Sequence, residues 1–515
     1  MGIVLLHFGL ATGVRVLPAS WVLTQSLSVF FVLSGFILAY RYPSLQGTRD
    51  TARYFIARVA RIWPLHVFTL VVVALLYPIP YQESVGAPVF LLNAFLLHAW
   101  VPIYNVYASF NAPSFSLSIE LFLYACFPLL IKGGRRSWIL KLGIPLLIAA
   151  TMIFLADRVL EPGSRVDAAG LVYNNPLPRL WEFAVGVGAA SVWRRLRDRA
   201  TPSRSSATIL ELGAVALVTA NAANVTRLLA AVDDGLGTGA RLWISNAGLT
   251  ALPIAALLVL LALEKGLVSR LLSVRPLVLF GDISYSTYLL HGILIVPVVY
   301  RWDVFRRLPD AQLAASFVAT VLVASYLSWA LVEVPGRAFV LYASDRFIRH
   351  RPTQGQWRVR ATWKGLATCA IALAAIAGLV YTNRSRSAFD DLVQVDGRAV
   401  GEIERVDGSP VRDRRAAIGR DDSVPISGWV IDSRQRSPIR GVLVELDGTT
   451  HWLRGGLERA DVAGRFRDGR YRFTGFEGTV DTSDAKPGTH TLTARAVLYR
   501  PEGYLELPSV QLQVL

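Results

Sequence analysis

The sequence predicts an α-helical polytopic membrane protein of about eleven transmembrane helices with a C-terminal extracytoplasmic all-β, sandwich-like domain. Three observations carry that expectation. Apolar runs of membrane-spanning length recur up to about residue 382. Charged residues make up only 17% of the 515, against roughly 25% in soluble chains. The basic residues behind the net charge of +16 gather in alternate loops between the apolar runs. That is how a membrane protein fixes its orientation. The same placement argues against nucleic acid as a partner, which would need a basic patch on a soluble fold.

In chain order the spans fall at 1–18, 21–40, 63–80, 115–131, 139–156, 180–193, 207–225, 242–263, 277–300, 311–334 and 363–382. Residues 89–101 (VFLLNAFLLHAWV) are apolar but short. They are expected as a re-entrant or interfacial helix, because counting them as a span breaks the charge alternation. One set of loops holds Arg41, Arg49, Arg53, Arg58 and Arg61, then Lys132 to Lys141, Arg194 to Arg204, Lys265 to Arg275, and Arg337 to Lys364. The alternate loops hold far fewer. The positive-inside rule makes the first set cytoplasmic and the N-terminus cytoplasmic with it. The eleventh span then carries the chain out, and everything after Asn383 is extracytoplasmic.

The tail changes character. Residues 384–423 are polar and charged and are expected as a linker with some strand. From Val424 short β-like runs alternate with turns: ISGWVID, RGVLVELDG, YRFTGFEGTV, HTLTARAVLY and VQLQVL. Asp447-Gly448 and Pro487-Gly488 are turn dipeptides. Strands at such spacing suggest an antiparallel sandwich. Trp429, Trp452, Tyr471 and Tyr499 can stack on sugar rings, but filling a small core is the favoured reading. The tail has no nucleophile elbow and no metal cluster. Cys126 and Cys369 both lie in apolar runs, so neither a disulfide framework nor a zinc site is expected.

The chemistry is therefore expected in the membrane. His7, His66, His98 and His291 fall in or near spans, as do Glu120, Glu182, Glu211 and Glu333. Ionisable groups in hydrocarbon are costly and are functional candidates by default. A satisfied core histidine is the competing reading for His7. Arg58 and Arg61, at i and i+3, share a helix face. They suit an anionic ligand, since each guanidinium can grip phosphate in a bidentate way. Anchoring in anionic lipid headgroups is the competing reading and has the edge on these residues alone.

Seven stretches together resemble the membrane-bound acyltransferase-3 family, bacterial O-acyltransferases that decorate extracytoplasmic glycans. They are His7 in the first span, SVFFVLSGFILAY (Ser28–Tyr40), YFIARVARIWPLH (Tyr54–His66), FSLSIELFLYACFPLL (Phe115–Leu130), LPRLWEFAVGVGAA (Leu177–Ala190), LFGDISYSTYLLHGILI (Leu279–Ile295) and LVEVPGR (Leu331–Arg337). The resemblance covers residues 1 to about 340. It implies an acyltransferase-3-like membrane domain over 1–340, followed by a basic segment and the eleventh span at 341–383, the linker at 384–423 and the β domain at 424–515.

The resemblance also implies a reaction. An acyl group, usually acetyl, passes from cytoplasmic acyl-CoA to a hydroxyl of a glycan outside the bacterial inner membrane. The expected partners are the lipid bilayer, acyl-CoA as donor substrate and the glycan acceptor, with no permanently bound cofactor and no metal. His7 matches the family's histidine. The arginine ten residues ahead of it would fall before Met1, so the resemblance implies a chain that starts late. Arg58 and Arg61 match the family's arginine pair, expected to bind the donor. Glu120 matches its glutamate, expected to be catalytic with His7 by orienting the imidazole. Ser34 is expected as a small helix-packing residue. A transporter or flippase of a glycan or lipid-linked intermediate is the alternative, and it lacks the paired broken segments such proteins show. A membrane-anchored binding protein is a third class; it predicts featureless spans, which these are not.

Overall fold

The computed structural model describes residues 1–12, 22–76, 80–133, 137–160, 166–199, 202–232, 235–295 and 308–348. In the tail it describes 394, 399–419, 423–432, 441–457, 459–466, 474–483, 485–497 and 504–514. The expected eleventh span, Tyr471 and Tyr499 lie outside the described residues.

The first part is helical. Its helices are α1 (Gly2–Thr12), α2 (Ser26–Arg41), α3 (Gly47–Leu76), α4 (Pro80–Ala94), α5 (Tyr104–Tyr107), α6 (Phe115–Ile131), α7 (Trp138–Phe154) and α8 (Pro176–Leu196). Then come α9 (Arg204–Val232), α10 (Thr238–Trp243), α11 (Ala251–Ala262), α12 (Leu267–Leu272), α13 (Arg275–Asp282), α14 (Ser284–Ile295), α15 (Asp310–Ser328) and α16 (Val334–Ile348). Six helical stretches among the described residues are long and apolar enough to cross a membrane, and the pair α13–α14, bent by 60°, makes a seventh. The eleventh expected span and parts of the first and ninth lie outside the described residues. Three expected spans differ in form from their sequence reading. The α2 stretch is apolar but short. The sixth expected span lies in α8, which carries Arg179, Glu182, Arg194 and Arg195. The tenth does not stop at Val334, because a π-helical turn over Trp329–Glu333 leads straight into α16.

Helix α8 is the hub. Pro176 sits at its first turn, and the Asn175 side chain caps it by accepting from Leu177 N at 3.0 Å. It packs against α2, α6, α7 and α11. Gly35 of α2 and Gly186 of α8 let the two backbones touch: a methyl group on either would collide with the carbonyl of Phe183 or of Val32. The large apolar side chains of α7 and α9, such as Ile139, Leu147, Ile209 and Leu212, point outward. In lipid, that face needs no protein partner. Residues 89–101 end α4 at Ala94, turn at Leu96 (φ 57°) and continue as a short 3₁₀ turn, His98–Trp100.

The tail is a nine-stranded sheet in the order β2-β1-β4-β7-β6-β5-β8-β9-β3. Its strands are β1 (Ala399–Val406), β2 (Ser409–Pro410), β3 (Arg415–Ile418), β4 (Ser423–Asp432), β5 (Gly441–Leu446), β6 (Thr449–Leu457), β7 (Gly475–Asp481), β8 (Gly488–Val497) and β9 (Tyr504–Val514). All neighbours pair antiparallel except β3 with β9. β1 also contacts β9 from the other end of the order. The sheet thus folds over one core that includes Ile403, Val444, Phe476 and Leu492. The expected pair of sheets is one continuous sheet, and the sheet begins at Ala399, inside the stretch expected as linker. Asp447-Gly448 makes the two-residue β5–β6 turn, with φ of 50° and 84°. Trp429 is 3% exposed and lies under helix α17 (Ala460–Arg465) with Val462, Phe466 and Arg465. It is a core residue, not a free stacking platform.

Candidate active site

His7 lies near the middle of α1. Phe8 stacks on Phe317 at 4.8 Å, and with Val4 it holds α1 against α15 and the end of α14. On the neighbouring face, His7 Nδ1 lies 2.8 Å from His291 Nε2, and the two rings meet edge to edge with their planes 16° apart and centroids 5.0 Å apart. His291 sits on α14 and is wholly buried, whereas His7 is half-buried. The Nδ1 of His291 lies 2.5 Å from the Tyr288 carbonyl one turn earlier. Tyr288 itself donates to the Pro113 carbonyl at 2.8 Å. The α14 carbonyl of Leu289 accepts from Asn111 Nδ2 at 3.1 Å. These bonds fix the rotation of α14 about its axis.

Arg58 and Arg61 project from α3 into a layer of tyrosines. The Arg58 guanidinium lies over Tyr42, Tyr54 and Tyr124 at 5.8, 6.0 and 5.7 Å. Its Nε is buried and has no hydrogen-bond partner among the described residues. Arg61 lies over Tyr285 at 5.3 Å and pairs with Glu333 at the end of the π-helical turn. Glu333 Oε2 accepts from Ser286 Oγ at 2.8 Å. Arg337, in the first turn of α16, is close enough to Arg41, Arg58 and Arg61 for their charges to act on it. Arginines thus outnumber carboxylates here, a balance suited to a polyanion.

The structure does not bring Glu120 to His7. Glu120 Oε1 accepts from the Tyr124 hydroxyl and from Ser34 Oγ at 3.2 Å. It belongs to the arginine layer through Tyr124. Ser34 is thus a hydrogen-bond donor to a buried carboxylate, beyond the packing role expected of it.

The two groups are tied together by α14. Tyr285 and Ser286 face the arginine layer, and His291 faces His7. Five residues along a helix span about 7.5 Å.

Several other buried ionisable groups in the helices have at least one structural partner. His66 meets the Asn93 carbonyl at 2.8 Å, and His98 meets Ser114 Oγ at 3.2 Å. Arg179 and Glu182, 1% and 0% exposed, pair at 3.1 Å. Glu211 caps the start of α12 by accepting from Gly266, Val268 and Ser269 N. Sequence reasoning named His291 and Glu333 among the intramembrane ionisable groups without giving them a role, and it passed over Ser286 and Arg337. The signal for the first two was present: each is ionisable inside an apolar run and lies within one of the seven matching stretches.

Comparison with known proteins gives the family. The profile of the Acyltransferase domain family, acyltransferase-3, matches residues 1–332. Acyltransferase MdmB of Streptomyces mycarofaciens is 27% identical over 335 residues, which is 60% of this chain and 80% of MdmB. O-acetyltransferase OatA of Staphylococcus aureus is 25% identical over 347 residues, 62% of this chain. That match spans about half of OatA, 54% of its length. No solved structure matches.

Proposed function

We propose, because this chain belongs to the acyltransferase-3 family, that it transfers an acyl group, most simply acetyl, from acyl-CoA on the cytoplasmic side to a hydroxyl of an extracytoplasmic glycan. It is a multi-pass membrane acyltransferase, and the relatives named above support O-acylation. The observation that carries the finer reading is the arrangement along α14. A cationic, tyrosine-lined layer, with a buried Arg58 Nε that has no partner among the described residues, stands at one end, and a half-buried imidazole at the other.

Coenzyme A is a polyanion, and guanidiniums grip phosphates with geometry as well as charge. A sugar hydroxyl is a poor nucleophile until a base takes its proton, and histidine titrates near neutrality. In this reading His7 accepts the hydroxyl proton as the oxygen attacks the thioester carbon. The C–O bond forms, the C–S bond breaks, and the proton passes from His7 to the departing thiolate sulfur. Glu120 orders the donor layer through Tyr124 and Ser34.

The test supplies inside-out and right-side-out bacterial membrane vesicles with acetyl-labelled acetyl-CoA. Label entering a periplasm-facing glycan only when the protein is present and the donor is on the cytoplasmic face supports the reading. Label remaining on CoA, or reaching glycan only from donor outside, overturns it. An active alkaline phosphatase fused after Leu515 supports an extracytoplasmic β domain; an inactive one overturns that part.

A further inference from the structure

We propose that His291 is a positioning residue that fixes the tautomer of His7, leaving the lone pair of His7 on Nε2. This rests on the reading of His7 as the base.

The argument starts from a group that cannot donate. The Tyr288 carbonyl only accepts, so the proton in the 2.5 Å contact sits on His291 Nδ1. A neutral imidazole has one N–H, so His291 Nε2 is an acceptor. It faces His7 Nδ1 at 2.8 Å, and that nitrogen therefore carries the proton of His7. His7 Nε2 is left bare. Neutral rings are the form a membrane interior favours, since an uncompensated buried charge is costly. Among the described residues no carboxylate is paired with either ring.

Burial separates the two roles. His291 is 0% exposed and has Tyr288 behind it, so it cannot meet a substrate. His7 is half-buried and can. In hydrolase triads a carboxylate holds the base in its working tautomer. Here an imidazole backed by a main-chain carbonyl does so without a negative charge. When His7 Nε2 takes the hydroxyl proton, the Nδ1–H stays donated to His291 Nε2, which shares the positive charge. This is also why the site does not need Glu120 beside His7.

Two measurements test the proposal on the full chain in membranes. The first is nitrogen NMR of protein labelled with ¹⁵N-histidine, with a His7→Ala sample to identify the His7 signals. Expected are a protonated Nδ1 and a bare Nε2 on His7, and loss of that preference in His291→Leu. A wild-type His7 carrying its proton on Nε2 overturns the proposal, whatever the acceptor is. The second is kinetic. His291→Leu is expected to lower kcat about 10²-fold with both KM values unchanged. His291→Gln, whose amide can accept from His7 and donate to the Tyr288 carbonyl, is expected to recover a large part of the loss. His291→Leu added to His7→Ala is expected to cost nothing more. Wild-type kcat in His291→Leu, or a glutamine variant no better than leucine, overturns the assignment. A wild-type protein that moves no acyl group to glycan defeats the functional reading instead, and the NMR result still decides the tautomer.

Discussion

Glu333 holds Arg61 across 272 residues of sequence: one carboxylate oxygen pairs with the guanidinium while the other accepts from Ser286 Oγ at 2.8 Å. A helix turn in π form, Trp329–Glu333, delivers the carboxylate to that position. Arg61 is thus aimed by α14 and the π turn together. Replacing the carboxylate by an amide keeps a partner for Ser286 and removes the charge that aims Arg61. Glu333→Gln is expected to raise the KM for acyl-CoA about 10-fold, the scale of a lost charge-assisted hydrogen bond. Combined with Arg61→Ala the effects should not add. Unchanged KM in Glu333→Gln would mean the pair serves folding alone.

Arg58 makes a different prediction because its partners are rings. A guanidinium stacks flat on an aromatic face and keeps its in-plane donors free, which an ammonium cannot do. Arg58→Ala is expected to raise the KM for acyl-CoA by about 10- to 100-fold. Arg58→Lys should recover only part of that. Full recovery by lysine, measured as initial rates over a range of acyl-CoA, would favour a lipid-anchoring role.

His7 and Glu120 should separate in kinetics as they do in space. His7→Ala is expected to lower kcat by about 10²–10⁴ with the donor KM unchanged. Glu120→Gln should instead move the donor KM, because Glu120 reaches Arg58 through Tyr124. A Glu120 variant with the kinetics of His7→Ala would return Glu120 to the imidazole.

What the sequence disclosed was type, and what it withheld was phase. A charge in an apolar run is visible from composition, so His7, Arg58, Arg61 and Glu120 all stood out. Which neighbour each one meets depends on helix rotation and on partners far along the chain. His7 meets His291 from 284 residues away, and no local pattern encodes that. Glu211 shows the converse, an intramembrane carboxylate whose role is to cap a helix. In the tail, β1 was read as linker because Glu402, Glu404 and Arg405 dominate its composition. Ile403 and Val406 of that strand enter the main core, and a register shift between Ile403 and Arg405 brings these two residues, three apart, to the same side. Its Asp407-Gly408 turn, with φ of 52° and 71°, has the same chemistry as Asp447-Gly448 and was not among the turns read from the sequence.

The contact between α2 and α8 predicts a sharp contrast between glycines. Gly186→Ala forces a methyl against the Val32 carbonyl, in the middle of the hub. It is expected to destabilise the protein by about 1–3 kcal/mol, the usual cost of overpacking. Gly213→Ala on α9, where a methyl meets open space, should melt in detergent at or above the wild-type temperature. Equal melting of the two variants would show that the close approach contributes nothing.

The last prediction concerns the helix that covers Trp429. Arg459 precedes α17 and bonds both Glu404 on β1, at 2.8 and 3.0 Å, and Asp461 in the first turn, at 2.7 Å. It therefore ties α17 to the sheet. The hydrogen bonds from Arg459 pull the Asp461 carboxyl down from 3.8 to about 2. A carboxyl depressed in the folded state contributes stability above its unfolded pKa and loses it as the pH falls through the folded one. The tie should thus be intact at neutral pH and fail only between about pH 4 and 2. Asp461 is exposed, so solvent screens the pair and the global stability should change little. The local consequence is larger, because among the described residues of α17 Val462 alone joins the small cluster with Trp429 and Ile431. Arg459→Ala is expected to speed amide exchange in 460–466 at neutral pH while leaving β5 and β8 protected. Exchange there as slow as in the wild type would show that Val462 and Phe466 hold the helix without the arginine.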